Sequence, residues 1–120
     1  MRDFRKILAW QKAHQLVLAI YQATQTFPRE ELYGLTSQIR RAAASIPANI
    51  AEGCGKNSEA KLARYMQISM GSASELEYHL LLAKDLTYLE ETQYEELNDA
   101  TVEVKKMLAP FIKRLRQSGR

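Results

Sequence analysis

The chain has 120 residues, which is one domain by length and enough for a hydrophobic core. Hydrophobic residues make up 46%, Gly and Pro number only 5 and 3, and the net charge is +3, a composition that predicts helix throughout. One cysteine excludes an internal disulfide, no stretch approaches the roughly 20 apolar residues of a membrane span, and no signal peptide is visible, so a soluble cytoplasmic protein is expected.

The first helix is predicted from about Arg5 to Gln25, with Asp3 as its cap. Ile7, Trp10, His14, Val17, Tyr21 and Thr24 recur at steps of three and four, and Leu8, Ala9, Ala13, Leu16 and Ile20 widen that stripe. Phe27-Pro28 ends it, since a residue before proline avoids helical geometry. A turn through Glu30 and Glu31 leads to a second helix with the apolar row Leu32, Leu35, Ile39, Ala42, Ile46, Ile50, stopping at Gly53-Cys54-Gly55. Pro47 sits in its interior, where a proline removes a backbone hydrogen bond and clashes one turn back, at about 3 kcal/mol. A helix that accepts this penalty is expected to pack tightly on its neighbours.

Ser58 is the expected cap of a third helix, whose inner row is Leu62, Tyr65, Ser69, Ala73, Leu76, Leu80 and Ala83. The small residues Gly71, Ser72, Ala73 and Ser74 predict a close helix approach at its middle. Thr92-Gln93-Tyr94-Glu95 reads as a capping box opening a fourth helix, with Leu97, Thr101, Val104, Leu108, Phe111 and Leu115 facing inward and Pro110 kinking it near the end. Four amphipathic helices on short loops predict one all-α domain over residues 1–120, an antiparallel up-down four-helix bundle. Trp10, Leu18 and Tyr21 make the first helix apolar beyond one seam, which predicts a further buried surface, most simply self-association.

Charge is segregated along the last helix. Residues 85–103 carry Asp85, Glu90, Glu91, Glu95, Glu96, Asp99 and Glu103 and no base, whereas residues 105–120 carry Lys105, Lys106, Lys113, Arg114, Arg116 and Arg120 and no acid. Two readings stand: complementation of the helix dipole, or a basic tail for polyanions. Arg40 and Arg41 turn away from the inward row of the second helix, and Lys56, Lys61 and Arg64 cluster about the following turn. These are the candidate phosphate contacts, and salt bridges to a neighbouring helix or subunit are the alternative use of Arg40 and Arg41. No interleaving of bases with aromatics suggests a base-stacking platform.

Catalytic and metal patterns are weak. Gly53-Cys54-Gly55-Lys56-Asn57-Ser58 lacks the first glycine of a phosphate loop, has Asn57 after its lysine and follows a helix rather than a strand, so it reads as a helix stop and a cap. Glu75 and His79 are four apart, not the three of a di-iron pair, and His14 has no acid three residues before it; on the apolar stripe His14 reads as a hydrogen-bonded packing residue instead. Cys54 reads as a plain small residue, and Glu52, Glu75 and Glu77 as caps, partners or solvated charge. No enzymatic activity, cofactor, metal or small-molecule substrate is expected.

Phe27-Pro28, Glu31-Leu32-Tyr33-Gly34-Leu35, Gln38-Ile39-Arg40-Arg41-Ala42 and Ser45-Ile46-Pro47-Ala48-Asn49-Ile50-Ala51-Glu52-Gly53, with the later Gly71-Ser72 and Glu75-Leu76, resemble the signature of the 23S rRNA intervening sequence proteins. The resemblance covers nearly the whole chain. It implies an antiparallel four-helix bundle assembling as a ring-like homopentamer, and the family name defines no biochemical activity. A similar bundle is the accessory variability determinant of diversity-generating retroelements, where a basic pentamer binds nucleic acid and the reverse transcriptase; this chain departs from it in being only mildly basic. Ser45, Pro47, Asn49, Glu52 and Gly53 match the motif's centre. Ser45 and Asn49 are expected to satisfy the carbonyl freed by Pro47 or to bond across helices.

Together these readings predict a homo-oligomeric scaffold that engages RNA or a ribonucleoprotein through Arg40, Arg41, Lys56, Lys61, Arg64 and the bases Lys113, Arg114 and Arg116. The competing expectation is a protein-interaction adaptor whose arginines are structural.

Overall fold

The computed structural model describes residues 2–118, so Arg120 of the basic tail lies outside the described residues. Four helices, α1 (Leu8–Ala23), α2 (Leu35–Cys54), α3 (Glu59–Asp85) and α4 (Glu91–Ser118), pack in the cyclic order α1-α2-α3-α4, and among the described residues no strand forms. Successive helices run antiparallel: Arg40 of α2 reaches Thr24 just past α1, Ser45 meets Ser72, and Arg116 meets Gln67. The result is the expected up-down bundle, a rod of 47 × 22 × 20 Å.

The predicted inward rows of α2, α3 and α4 are buried with few exceptions. Ile39, Ile46, Ile50, Leu76, Leu80, Val104 and Leu108 are each at most 1% exposed. Burying an aliphatic side chain of this kind stabilises by roughly 1.5–3 kcal/mol. Leu32 is exposed, because the chain turns through a 3-10 segment at Arg29–Glu31 and α2 starts only at Leu35. In α4 the buried position is Ile112, and Phe111 is half-buried beside it.

The face of α1 is rotated from the expected stripe. Ala9, Ala13, Leu16 and Ile20 point inward, Trp10 and Val17 sit on the flank, and His14 and Tyr21 are exposed. Ala9 and Ala13 let α1 lie close to the bundle axis, which moves the bulkier row to the edge. His14 is accordingly no core residue; it stacks on Trp10, with ring centroids 5.0 Å apart and planes 7° from parallel. The helix is also shorter than expected, because 3-10 turns at Phe4–Lys6 and Thr24–Thr26 flank it. Asp3 does cap, but it caps the first of these turns, accepting from Arg5 N at 3.1 Å.

α2 runs through buried Pro47 without a break. The proline leaves the Ala43 carbonyl without its usual donor, yet Asn49 goes elsewhere: its Nδ2 donates to the Ser45 carbonyl at 2.8 Å and to Ser45 Oγ at 3.0 Å. The Ser45 hydroxyl pairs with that of Ser72 at 2.8 Å, and buried Ser69 donates to the Ile46 carbonyl at 2.8 Å. Ser45 thus takes the cross-helix alternative, whereas Asn49 takes neither expected role and bonds within α2.

Close approach of α2 and α3 occurs at Gly53 and not at the middle of α3. A Cβ on Gly53 would lie 2.8 Å from Tyr65 Cβ and 2.9 Å from Leu62 Cδ1, whereas one on Gly71 would meet nothing within 4 Å. Ser58 caps α3 through Lys61 N as expected. α3 closes on Thr87, which takes the left-handed conformation (φ 66°) while Tyr88 N bonds to the Ala83 carbonyl at 2.9 Å. Glycine usually fills that place, and a β-branched residue is strained there by roughly 1–2 kcal/mol.

The start of α4 departs from the expected box. The helix begins at Glu91, and Gln93 Oε1 accepts from Glu90 N at 3.2 Å, so the reaching-back side chain is Gln93 and not Glu95. Leu89, 5% exposed, anchors the chain in the core and sets that earlier start. Pro110 is exposed, and α4 continues about two turns beyond it to Ser118.

Candidate nucleic-acid interface

The up-down topology sorts the charges that were separate in sequence into two ends. One end gathers the N-terminal residues, the α2–α3 turn and the C-terminal half of α4. Arg2 N bonds to the Cys54 carbonyl at 3.1 Å, Arg2 pairs with Glu59 at 2.9 Å, and Ser118 reaches the same carboxylate at 3.5 Å. The other end gathers the α1–α2 connection and the start of α4, where Tyr88 Oη donates to Glu31 Oε2 at 3.0 Å.

Of the predicted candidates, Lys56, Lys61, Arg64, Lys113, Arg114 and Arg116 come together at the first end. Arg64 and Arg116 line one groove with Ala60, Ala63, Gln67, Ile68 and Leu115, of about 420 Å³. A second groove, of about 380 Å³, lies between Met70 and Ala109 and is bordered by Lys113 and Arg116. No acid lines either one. The reason is visible along the chain: residues 60–74 of α3 and 104–118 of α4 contain no Asp or Glu, and the antiparallel packing lays these stretches side by side. Lys61, Arg64, Lys113 and Arg116 are exposed there.

Several cations at this end lie over rings. Lys56 Nζ is 5.3 Å from the centre of Tyr65, Arg114 is 5.3 Å and Arg2 5.6 Å from that of Phe111, and Arg5 is 4.6 Å from that of Phe4. Such contacts hold a cation in place for roughly 0.5–1 kcal/mol each at exposed sites. Arg2, Arg5 and Lys6 were missed as members of this cluster. The signal for them was the charged N-terminal hexapeptide, which an up-down bundle must place beside the end of α2.

Arg40 and Arg41 are not brought to the cluster, because they lie in the other half of α2. Arg40 is half-buried: its Nε donates to Thr24 Oγ1 at 2.8 Å and its guanidinium lies 4.7 Å from the centre of Tyr21. It ties α2 to α1, a contact with a ring and a hydroxyl rather than the acid expected of a structural arginine. Arg41 is exposed in a polar groove between α2 and α3, with Gln38, Ser45, Ser72 and Glu75. Glu52 of the motif is exposed and Gly53 makes the helix contact described above.

The remaining candidates behave as local structure. His79 is buried, its Nε2 is 3.1 Å from Glu75 Oε2, and its Nδ1 has no partner among the described residues. Glu77 pairs with Lys105. Burial pushes the Cys54 thiol up from its ordinary pKa, against the lowering effect of Arg2. Gly53 and Cys54 end α2, which leaves no phosphate loop before Ser58. Among the described residues no three His, Cys, Asp or Glu side chains converge as for a metal ion, and no helix is long and apolar enough to cross a membrane.

Comparison with known proteins adds a relationship. A family model described as 23S rRNA-intervening sequence protein matches residues 5–110. Among solved structures, the chain is similar to a protein with unknown function from the S23 ribosomal protein family of Bacteroides thetaiotaomicron VPI-5482. The TM-score is 0.82 at 29% identity, over 88% of this chain and 99% of that one. No curated protein matches.

Proposed function

The chain belongs to the 23S rRNA-intervening sequence protein family, and from that premise we propose a non-enzymatic, homo-oligomeric helical scaffold that engages RNA or a ribonucleoprotein through its basic end. The observation that carries this reading is the acid-free face on which α3 and α4 expose Lys61, Arg64, Lys113 and Arg116. Cations that neutralise phosphates give affinity without reading sequence. The family's name, and the S23 ribosomal protein family of the similar structure, favour RNA as the polyanion. The reading includes a resemblance to the accessory variability determinant of diversity-generating retroelements, a basic pentamer from which this chain departs in being only mildly basic.

We extend the reading to a ring of five in a cytoplasmic setting, and association itself draws support from apolar residues left on the surface: Leu8 and Leu18 on α1 are 56% and 58% exposed, and Ile68, Tyr78 and Leu81 on α3 exceed 39%. Exposed apolar patches of this kind mark association surfaces. The same residues favour the second reading, an adaptor that meets a protein partner, for which Tyr33 at 94% exposure is the most prominent contact.

Binding of the mass-defined oligomer to generic RNA at low salt separates the two. The scaffold reading expects binding that falls roughly tenfold or more in Lys61→Ala/Arg64→Ala/Lys113→Ala/Arg116→Ala and is kept in Arg40→Ala. No binding at low salt would favour the adaptor.

A further inference from the structure

Resting on that reading, we propose that the ligand of the basic end is a nucleic-acid duplex gripped through its phosphates, and not a single strand held by base stacking. Proteins that hold single strands need free aromatic faces on which successive bases stack. At this end of the bundle each ring already has a cation or another ring against it. Tyr65 lies under Lys56, Phe111 under Arg2 and Arg114, and Phe4 under Arg5. Trp10 is stacked on His14 and meets the edge of Phe4 at 5.0 Å. His14 is exposed, but it already has one face against Trp10. The exposed tyrosines lie elsewhere: Tyr21 at the far end of α1, Tyr33 in the turn before α2 and Tyr78 in the second half of α3.

The cations have the arrangement a duplex requires. Lys61 and Arg64 project from α3, Lys113 and Arg116 from α4, and the two helices are fixed against each other through a buried core that includes Ala63, Met66, Ile112 and Leu115. The acid-free stretch of α3 spans 15 residues, about 22 Å at 1.5 Å per residue. A duplex carries one phosphate charge per roughly 1.7 Å of its axis, so about a dozen phosphates from both strands fall within that length. A rigid, dense row of charge suits cations whose helices are fixed against each other. A flexible single strand offers fewer charges per length and has no stacking surface here to order it.

The groove floors are poor in groups that read sequence. Ala60, Ala63 and Leu115 offer no hydrogen bond to a base edge, and Gln67 Oε1 already accepts from Arg116 at 3.4 Å. Recognition is therefore of the phosphate lattice. The phosphodiester duplex is chemistry shared by RNA and DNA, and the test keeps them as separate arms.

Fluorescence anisotropy with a labelled RNA duplex, a DNA duplex of the same sequence and each separated strand, at 50 and 200 mM salt, decides the matter on the full chain. The duplexes are expected to bind at least about tenfold tighter than their strands, and a preference between the two duplexes names the source. With about four phosphates contacted, the log–log salt slope should be about −3.6, or roughly 150-fold weaker binding at the higher salt. Arg64→Ala/Arg116→Ala should make that slope shallower by about two, and His14→Ala should change nothing. Strands that bind as tightly as duplexes, or loss of binding in His14→Ala, would overturn the duplex proposal while leaving nucleic-acid binding in place. No binding by any arm at 50 mM salt would overturn both.

Discussion

At the acidic end of the bundle the carboxylates serve the backbone, whereas at the basic end the cations face rings, grooves and solvent, apart from Arg2, which pairs with Glu59, and Arg5, which lies by Asp3. Glu31 Oε1 accepts from Leu35 N at 3.1 Å and so caps α2, while its Oε2 is held by Tyr88, itself packed on Phe27 at 5.5 Å. Glu91 sits in the first turn of α4, where the helix dipole favours an acid. No comparable duty falls on Lys61, Arg64 or Lys113. The turns differ as well: the α2–α3 turn at the basic end closes tightly on Gly53, and the α3–α4 turn at the acidic end holds a strained Thr87. Charge changes at the acidic end should therefore read out as stability, and those at the basic end as binding.

Five variants sharpen or break that contrast. The largest effect is expected from Arg64→Glu/Arg116→Glu, which should weaken RNA binding by roughly 100-fold, about 2.7 kcal/mol, with little change in Tm. Glu95→Lys/Glu96→Lys should leave binding intact or tighten it slightly; equal losses from both would erase the distinction between the ends. Gly53→Ala comes next. Its methyl must displace Tyr65 Cβ and Leu62, and urea unfolding should show a net loss of about 1–2 kcal/mol despite the better helix propensity of Ala. Thr87→Gly should stabilise by about 1 kcal/mol through relief of the left-handed strain, with RNA affinity unchanged.

The smallest effect concerns Tyr88. Its hydrogen bond to the Glu31 carboxylate, helped by burial, pushes its phenol above the ordinary value of 10. A raised folded pKa means the folded state holds this proton more tightly, so the contribution is complete below the unfolded pKa and lost as pH rises through the raised one. Tyr88→Phe should be slightly less stable than the unaltered chain at neutral pH, and that deficit should close as pH rises through the raised phenol pKa.

Much of the fold was legible because period and packing agree. The row Leu35, Ile39, Ala42, Ile46, Ile50 was readable from spacing and is buried as expected. α1 misled because its inward residues include two alanines, and a stripe chosen by size favours Trp10 and Tyr21 over Ala9 and Ala13. Thr92 and Glu95 satisfy the capping pattern, but burial of Leu89 outweighed local preference and started the helix earlier. Pattern names possible caps, and the core decides among them. The candidate site was legible as fragments, with Lys56 to Arg64 and Lys113 to Arg116 each visible as a cluster. Their meeting depends on α4 lying antiparallel to α3, which follows once the bundle is drawn. The role of Arg40 was not legible, since its partners Thr24 and Tyr21 lie across a helix crossing whose register no local pattern encodes.

Lysine-reactivity footprinting with and without an RNA duplex tests the central claim most directly, because it reads both ends of the same molecule at once. Bound duplex should shield Lys61 and Lys113, which lie on the acid-free face, and leave Lys12, paired with Glu103, and Lys84, over Tyr94, as reactive as before. Uniform protection of all four, or protection of Lys84 with Lys61 and Lys113 left open, would contradict it.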